Sequence, residues 1–136
     1  MKSVVWLLTY MFTFLDALYY VSSVYKPKTL IDAATLTGAM AIALGDVYSG
    51  VFTNSDTLWE SLHAAGVTTH DQFWRMPLEE AYAHQIKGSN ADLCNTGGRP
   101  AGSCTAALFL KVDRTALFPP FYETNTYVFI VLCGRR

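Results

Sequence analysis

The stretch that most constrains this chain runs from Lys28 to Gly45, Lys-Thr-Leu-Ile-Asp-Ala-Ala-Thr-Leu-Thr-Gly-Ala-Met-Ala-Ile-Ala-Leu-Gly. It predicts a short buried strand over Thr29 to Ala34, a Thr-Leu-Thr-Gly corner, then a small-residue helix. Thr37 suits the N-cap, because its hydroxyl can accept from a first-turn backbone N–H. Gly45 suits the stop, since glycine takes the left-handed conformation past a last turn without a Cβ clash. Ala39, Met40, Ile42, Ala43 and Leu44 cover most of the helix circumference, which predicts a helix buried nearly all round. A strand that runs through a polar corner into a helix is how open α/β sheets build sites at their carboxyl ends.

A chain of 136 residues suits one domain. Only 15% of it is charged and 51% is hydrophobic, against a usual charged share of about 25%. That deficit asks whether some surface is meant for lipid or for another chain. The net charge of −1, without a basic block, argues against nucleic acid as a partner. Cys94, Cys104 and Cys133 are odd in number and widely spaced, which argues against a disulfide framework and favours a reducing compartment. Val4 to Leu15 is an apolar run behind Lys2, shaped like the hydrophobic region of a secretion signal. It stops at Asp16, short of the roughly 20 residues a spanning helix needs, and no small-x-small cleavage pattern follows it. A buried element, or sequence foreign to the domain, is the plainer reading.

Beyond it, Leu18, Val21 and Tyr25 form one helical stripe that should end before Lys26-Pro27. Tyr48 to Thr53 reads as a second strand. Asn54 or Ser55 then caps a helix that buries Leu58, Trp59 and Leu62 and ends at Gly66. Pro77 can open a helix, with Glu79 and Glu80 in its first turn and His84 near its end. Gly88 to Gly102 reads as a long loop, Ser103 opens a helix over Cys104 to Lys111, and Tyr127 to Cys133 is strand-like. Alternating elements of this kind make an α/β fold.

Chemistry is sparse. His63, His70 and His84 sit in unrelated contexts, and neither H-E-x-x-H nor C-x-x-C occurs. Asp32, mid-strand, is either a catalytic or supporting carboxylate or a residue turned into a polar pocket, because a buried charge needs a partner. The Asn95 to Gly102 loop precedes a helix, as phosphate cradles do, yet it lacks the glycine and lysine spacing of one. Ser103 and Cys104 have no activating base beside them in sequence. Residues alone point to a site near Thr35 to Gly38 and name no reaction.

Several segments together resemble one family: Pro27-Lys-Thr-Leu-Ile-Asp-Ala-Ala-Thr-Leu-Thr-Gly-Ala-Met40, Gly50-Val-Phe-Thr-Asn54, Phe73-Trp-Arg-Met-Pro-Leu78, Ser89-Asn-Ala-Asp-Leu93, and Asn95-Thr-Gly-Gly-Arg-Pro-Ala-Gly-Ser-Cys-Thr-Ala-Ala107. They are similar to the catalytic domain of the leucyl (cytosol) aminopeptidases. The resemblance implies a helix-flanked, mixed-sheet α/β domain truncated at both ends. An apolar segment over residues 1–14 and a C-terminal segment over residues 112–136 lie outside the likeness, which covers about 15–111. It also implies release of N-terminal residues from peptides, two divalent metals (manganese or zinc), a homohexamer, and a cytoplasmic location. A secretory route through the apolar N-terminus is the alternative. By the family pattern, Leu36 offers its carbonyl and Gly38 its N–H to a bound peptide, with Thr37 between them. Thr35 and Met40 lie by the side-chain pocket, and Thr96 lines it.

Two of the five metal ligands that the resemblance implies are the acidic residues of an Asn-Thr-Asp-Ala-Glu-Gly-Arg motif, a few residues before the Asp16-Ala17-Leu18 helix, the other three lying upstream of it. In that register Leu7 falls on the aspartate, Thr9 on the glutamate and Met11 on the arginine. Methyl groups cannot supply donors to a metal pair, so the resemblance implies no catalytic residue, no metal ligand and no hydrolysis in this chain. Two other roles compete with that of an inactive family member: a non-catalytic protein pairing with intact aminopeptidase subunits, and a small secreted or membrane-associated protein. The abrupt joins near residues 15 and 111 predict a fragment or mis-spliced reading frame. Sequencing the transcript should show coding sequence for the missing motif beside one of these joins; a full-length message encoding this chain alone would contradict it.

Overall fold

The centre of the fold is a strand drawn from the C-terminal end of the chain. Thr126–Val131 (β4) is a run of β-branched and aromatic residues, Thr-Tyr-Val-Phe-Ile-Val, and Val128, Phe129 and Val131 are each at most 1% exposed. Such a run suits a strand covered on both faces. The computed structural model describes residues 16–18, 20–88, 94, 97–116 and 126–132, with 112–116 and 127 as backbone. Within these it forms one four-stranded mixed sheet of order β1-β4-β2-β3. Thr29–Ala34 (β1) pairs parallel to β4, from Thr29 opposite Thr126 to Ala34 opposite Val131. Ser49–Thr53 (β2) pairs antiparallel on the other side, Gly50 opposite Val131 and Thr53 opposite Val128. Phe73–Arg75 (β3) lies parallel to β2 at the edge.

The predicted strands at Thr29 to Ala34 and Tyr48 to Thr53 are present, the second beginning at Ser49; the first is not the buried strand expected, since only Leu30 is buried and Ile31 is 52% exposed. The helices depart further from expectation. Gly38–Leu44 (α1) is not buried all round: Met40 is fully buried, but Ile42 is 90% exposed. α1 is short and lies at the end of the sheet, so only one of its residues reaches the core. Burial on every side is found instead in the helix Gly102–Ala116 (α3), over Ser103 to Leu110, all of which are buried. It starts at Gly102 and runs beyond Lys111. Its Leu108, Phe109 and Leu110 pack with Leu30, Phe52, Phe129 and Val131 of the sheet.

The N-terminal segment also shifts its face. Asp16 to Leu18 and Tyr20 are helical, and the chain then widens into a π-helical turn, Val21–Tyr25, that ends at left-handed Lys26 before Pro27. A π turn holds more residues than an α turn, so Ser22 rather than Val21 follows Leu18 inward. Leu18 and Ser22 are buried and the Ser22 hydroxyl donates to the Leu18 carbonyl, while Val21 and Tyr25 are exposed.

Asp56–Thr69 (α2) is capped as expected by Ser55, whose hydroxyl accepts from the Leu58 N–H at 3.3 Å. Asp56 sits in its first turn and pairs with Arg75 at 2.6 Å, tying α2 to β3. Leu58, Trp59 and Leu62 are half-buried. The helix does not end at Gly66; it continues to Thr69 and stops at left-handed His70 (φ 62°). Gly66 is glycine for another reason. The chain folds back over it, and a Cβ there would overlap the Asp71 carbonyl oxygen and the Phe73 ring.

Pro77 does not open a helix either. A 3-10 turn, Glu80–Gln85, begins three residues later, with Glu79 at its cap and His84 in its last turn. Glu80 pairs with Lys111, which fastens this turn to α3. Among the described residues, no helix is long and apolar enough to cross a membrane.

A substitution pair checks this packing. Alanine is the better helix former by about 1 kcal/mol, so helix propensity alone would make Gly66→Ala stabilising. The overlap at Gly66 should reverse the sign and destabilise by about 1–3 kcal/mol. Gly38→Ala, where a Cβ meets nothing within 4 Å, should be neutral or slightly stabilising. Chemical denaturation of the two variants reads the difference.

Candidate functional site

Parallel pairing of β1 with β4 brings the corner out at the carboxyl end of both strands. Where the chain leaves Ala34, Thr35 is exposed, Leu36 turns inward at 6% exposure, and Thr37 is half-buried. Gly38 at the start of α1 is exposed, with open space where a Cβ would stand. Thr35 and Gly38 thus reach the surface on either side of the turn. Leu36 anchors it from beneath.

Thr37 takes the N-cap position with an extended backbone (φ −140°, ψ 138°), yet its side chain makes no capping bond. The first turn closes instead through the Met40 N–H to the Thr37 carbonyl at 3.2 Å. The Thr37 hydroxyl is buried without a hydrogen-bond partner among the described residues. Packing under the corner has overridden the expected cap. Gly45 ends α1 as expected, its N–H on the Ala41 carbonyl at 3.0 Å, but with φ 65° and ψ −141° it lies outside the left-handed helical conformation expected of it.

Met40 forms the floor of the corner. It is wholly buried, and its Sδ and Cε fill the place where a Gly50 side chain would stand. The start of α3 packs beside the corner. A Cβ on Gly102 would approach Ala39 Cβ to 3.1 Å, so the start of α3 meets the start of α1 at closest packing. Ala101 takes a positive φ (55°) and its carbonyl accepts from the Thr105 N–H at 3.0 Å. The Gln85 side-chain oxygen, buried and without a partner among the described residues, lies against Gly98. Nothing in the residue pattern marks Gln85 in advance; the 3-10 turn carries it under the loop.

Of the sequence-predicted site residues, Thr35, Leu36, Thr37, Gly38 and Met40 share this corner. Thr96 lies outside the described residues, as do Leu7, Thr9 and Met11. Asp32 is half-buried in β1, opposite Phe129. The histidines serve separate places: His63 rests on Trp59 in α2, His70 ends that helix, and His84 Nδ1 contacts the Ala81 carbonyl at 2.7 Å.

Burial pushes the Cys104 thiol above its ordinary range, opposed in part by a backbone hydrogen bond. A thiol held protonated in a core is a poor nucleophile. Cys94 is half-buried, and its N–H donates to the Ile86 carbonyl at 2.7 Å. Among the described residues, no group of three or more His, Cys, Asp or Glu side chains is placed to hold a metal ion. The donor set at the corner does not fit a divalent metal pair, which needs several oxygen and nitrogen ligands converging on one point. The corner presents Thr35 and the exposed start of α1 at Gly38 to solvent, with Met40 packed out of reach beneath it. Among the described residues it brings together no acid–base or nucleophilic set.

Comparison with known proteins agrees with this architecture. A sequence model of the cytosol aminopeptidase family, catalytic domain, matches residues 12–119. A probable cytosol aminopeptidase of Sinorhizobium fredii is 54% identical over 96 residues, spanning 71% of this chain and 19% of that protein. Its counterpart in a Chelativorans species is 53% identical over 102 residues, 74% of this chain and 21% of that protein. A solved mutant of tomato leucine aminopeptidase superposes with a TM-score of 0.79 at 36% identity, covering 90% of this chain and 23% of that one. The chain therefore spans about a fifth of the length of these relatives. With most of its residues matched and a shared fold, the chain belongs to the cytosol aminopeptidase family.

Proposed function

We propose that this chain carries the substrate-side wall of a peptide-binding cleft of the aminopeptidase type, without the groups that hydrolyse the peptide. The observation that carries the reading is the turn at the carboxyl end of β1, from exposed Thr35 over buried Leu36 to exposed Gly38, inside the stretch matched to the family. The Leu36 carbonyl accepts from the peptide and the Gly38 N–H donates to it, with Thr37 between them. Thr35 stands beside the first side chain, Met40 floors its pocket, and Thr96 lines it. The ligand is a peptide with a free N-terminus and an apolar first residue.

Manganese or zinc in this family supplies a Lewis acid and an activated water. Val, Trp, Leu, Leu, Thr, Tyr and Met at positions 5–11, where the metal motif falls in register, offer no ligand set for it. The chain's own part is then to bind and orient. A cytoplasmic location follows from the same reading.

A second role, pairing with intact aminopeptidase subunits, is favoured by one observation. Ile31, Ile42 and Val47, in and beside the elements that build the corner, are 52%, 90% and 56% exposed. Co-purification with an intact aminopeptidase would support that role, and its absence from a pull-down would remove it.

Peptide binding has a clean backbone test. Gly38 is the first residue of α1, where proline is tolerated. Thr37 already has the extended conformation that a residue before proline prefers. Gly38→Pro should therefore delete the N–H and leave the fold intact. A leucyl dipeptide should bind the chain with a Kd on the order of 1 mM, about 4 kcal/mol. Gly38→Pro should weaken this by about fivefold to tenfold, a hydrogen bond's net worth, while Gly38→Ala should bind as before. Calorimetry that finds no difference between the proline and alanine variants would refute the assigned role.

A further inference from the structure

β1 stands at one edge of the sheet, and β4 is its partner among the described residues. The ladder decides which of its backbone groups are left over. The Lys28 carbonyl accepts from the Thr126 N–H at 3.1 Å, and the Ala34 carbonyl from the Leu132 N–H at 2.9 Å. Along a strand the N–H and C=O of one residue point the same way, and that direction alternates from residue to residue. Lys28, Leu30, Asp32 and Ala34 therefore face β4. Thr29, Ile31 and Ala33 turn their N–H and C=O groups toward the open edge.

The side chains of the same three residues share one face of the sheet, and all three are exposed. Register explains this. Across that face Arg75, Val51, Ile130 and Ala33 form one row. At the β3 end of the row α2 lies over the sheet, with Arg75 paired to Asp56 and the Phe73 ring beside Gly66. Cover then thins toward β1: Val51 is buried, Ile130 half-buried and Ala33 exposed.

Sheet edges are usually guarded by a charge, a proline or a bulge. Here Pro27 stands before β1, and the outward positions hold threonine, isoleucine and alanine. The natural complement of such an edge is another strand, and this one complements itself. Its outward residues are spaced evenly about Ile31. A two-fold axis at Ile31 thus sets Ile31 opposite its counterpart in a second copy, and Thr29 opposite Ala33 on either side. Each such pair exchanges two hydrogen bonds in an antiparallel ladder, so the three pairs satisfy every outward group. The two Ile31 side chains meet on the uncovered face. A charged share of only 15% suits a chain that turns part of its surface to another chain.

We propose that two copies of this chain associate through antiparallel pairing of their β1 edges, joining their four-stranded sheets into one across a two-fold axis at Ile31. Closed two-fold pairs are the commonest protein assemblies. Thr35 to Gly38 lie outside the ladder, so this association stands or falls separately from peptide binding.

Sedimentation equilibrium of the full chain, in reductant so that no disulfide contributes, reads the association. A dimer should form with a Kd on the order of 10–100 µM. Ile31→Pro deletes the outward N–H on both strands, at an edge position where proline is tolerated and which makes no bond to β4. Loss of those two hydrogen bonds should raise Kd about tenfold. Ile31→Lys covers the case in which proline disturbs β1. It keeps the backbone but sets like charges directly opposite each other, and Ile31 is exposed enough for the fold to accept it. This variant should also raise Kd at least about tenfold. Ile42→Lys, at a strongly exposed apolar residue outside β1, should leave Kd unchanged. A wild-type chain that stays monomeric at about 1 mM, a dimer indifferent to both Ile31 variants, or one that Ile42→Lys weakens as much, would overturn the assignment.

Discussion

Backbone pairing of β4 with β1 on one side and β2 on the other is the interaction on which everything else rests. β1 and β2 do not touch; β4 separates them and hydrogen-bonds to both. The parallel ladder to β1 sets where Ala34 ends and hence where the corner emerges. The antiparallel ladder to β2 sets Gly50, and Gly50 in turn leaves room for Met40 beneath the corner. Phe129 and Val131 join the core under α3 from the same strand. Burying each such side chain contributes roughly 1.5–3 kcal/mol. A strand so placed decides where the corner emerges. It also lies beyond residues 12–119, the span matched by the family's catalytic-domain model.

Much of this was legible in the residues, and the misses have physical causes. The strand at Thr29 to Ala34 was readable because β-branched and apolar residues end at a polar corner. Ser55 announced α2 through its hydroxyl. The composition of α1 misled, because small apolar residues show what a helix could bury and not what stands beside it. Ile42 in solvent and Met40 in the core come from the same apolar pattern. Gly66 was read as a helix stop because a glycine forced by close approach looks the same in sequence as a glycine forced by a left-handed turn. His70, a side chain that tolerates positive φ less readily than glycine, ends the helix instead.

The site shows the same division. Thr35 to Gly38 was visible as a turn of chain, but the unpartnered Thr37 hydroxyl was not, since capping by a threonine is the default expectation. Gln85 gave no signal at all. Its place under the loop depends on a 3-10 turn fixed by Glu80 and Lys111, residues far apart in sequence. The fold-back over Gly66 is likewise not encoded in composition.

These features describe a stretch of the cytosol aminopeptidase family's catalytic domain, and the proposed reading is that it supplies a peptide-binding surface without the metal motif. Catalysis in such enzymes comes from groups that stabilise the transition state more than the bound substrate. A wall that only binds supplies no such difference. The most direct measurement is release of p-nitroaniline from leucine p-nitroanilide by the purified chain, with manganese or zinc in excess. The account expects no release above the metal alone. Saturable, metal-dependent turnover that disappears with a chelator would contradict it.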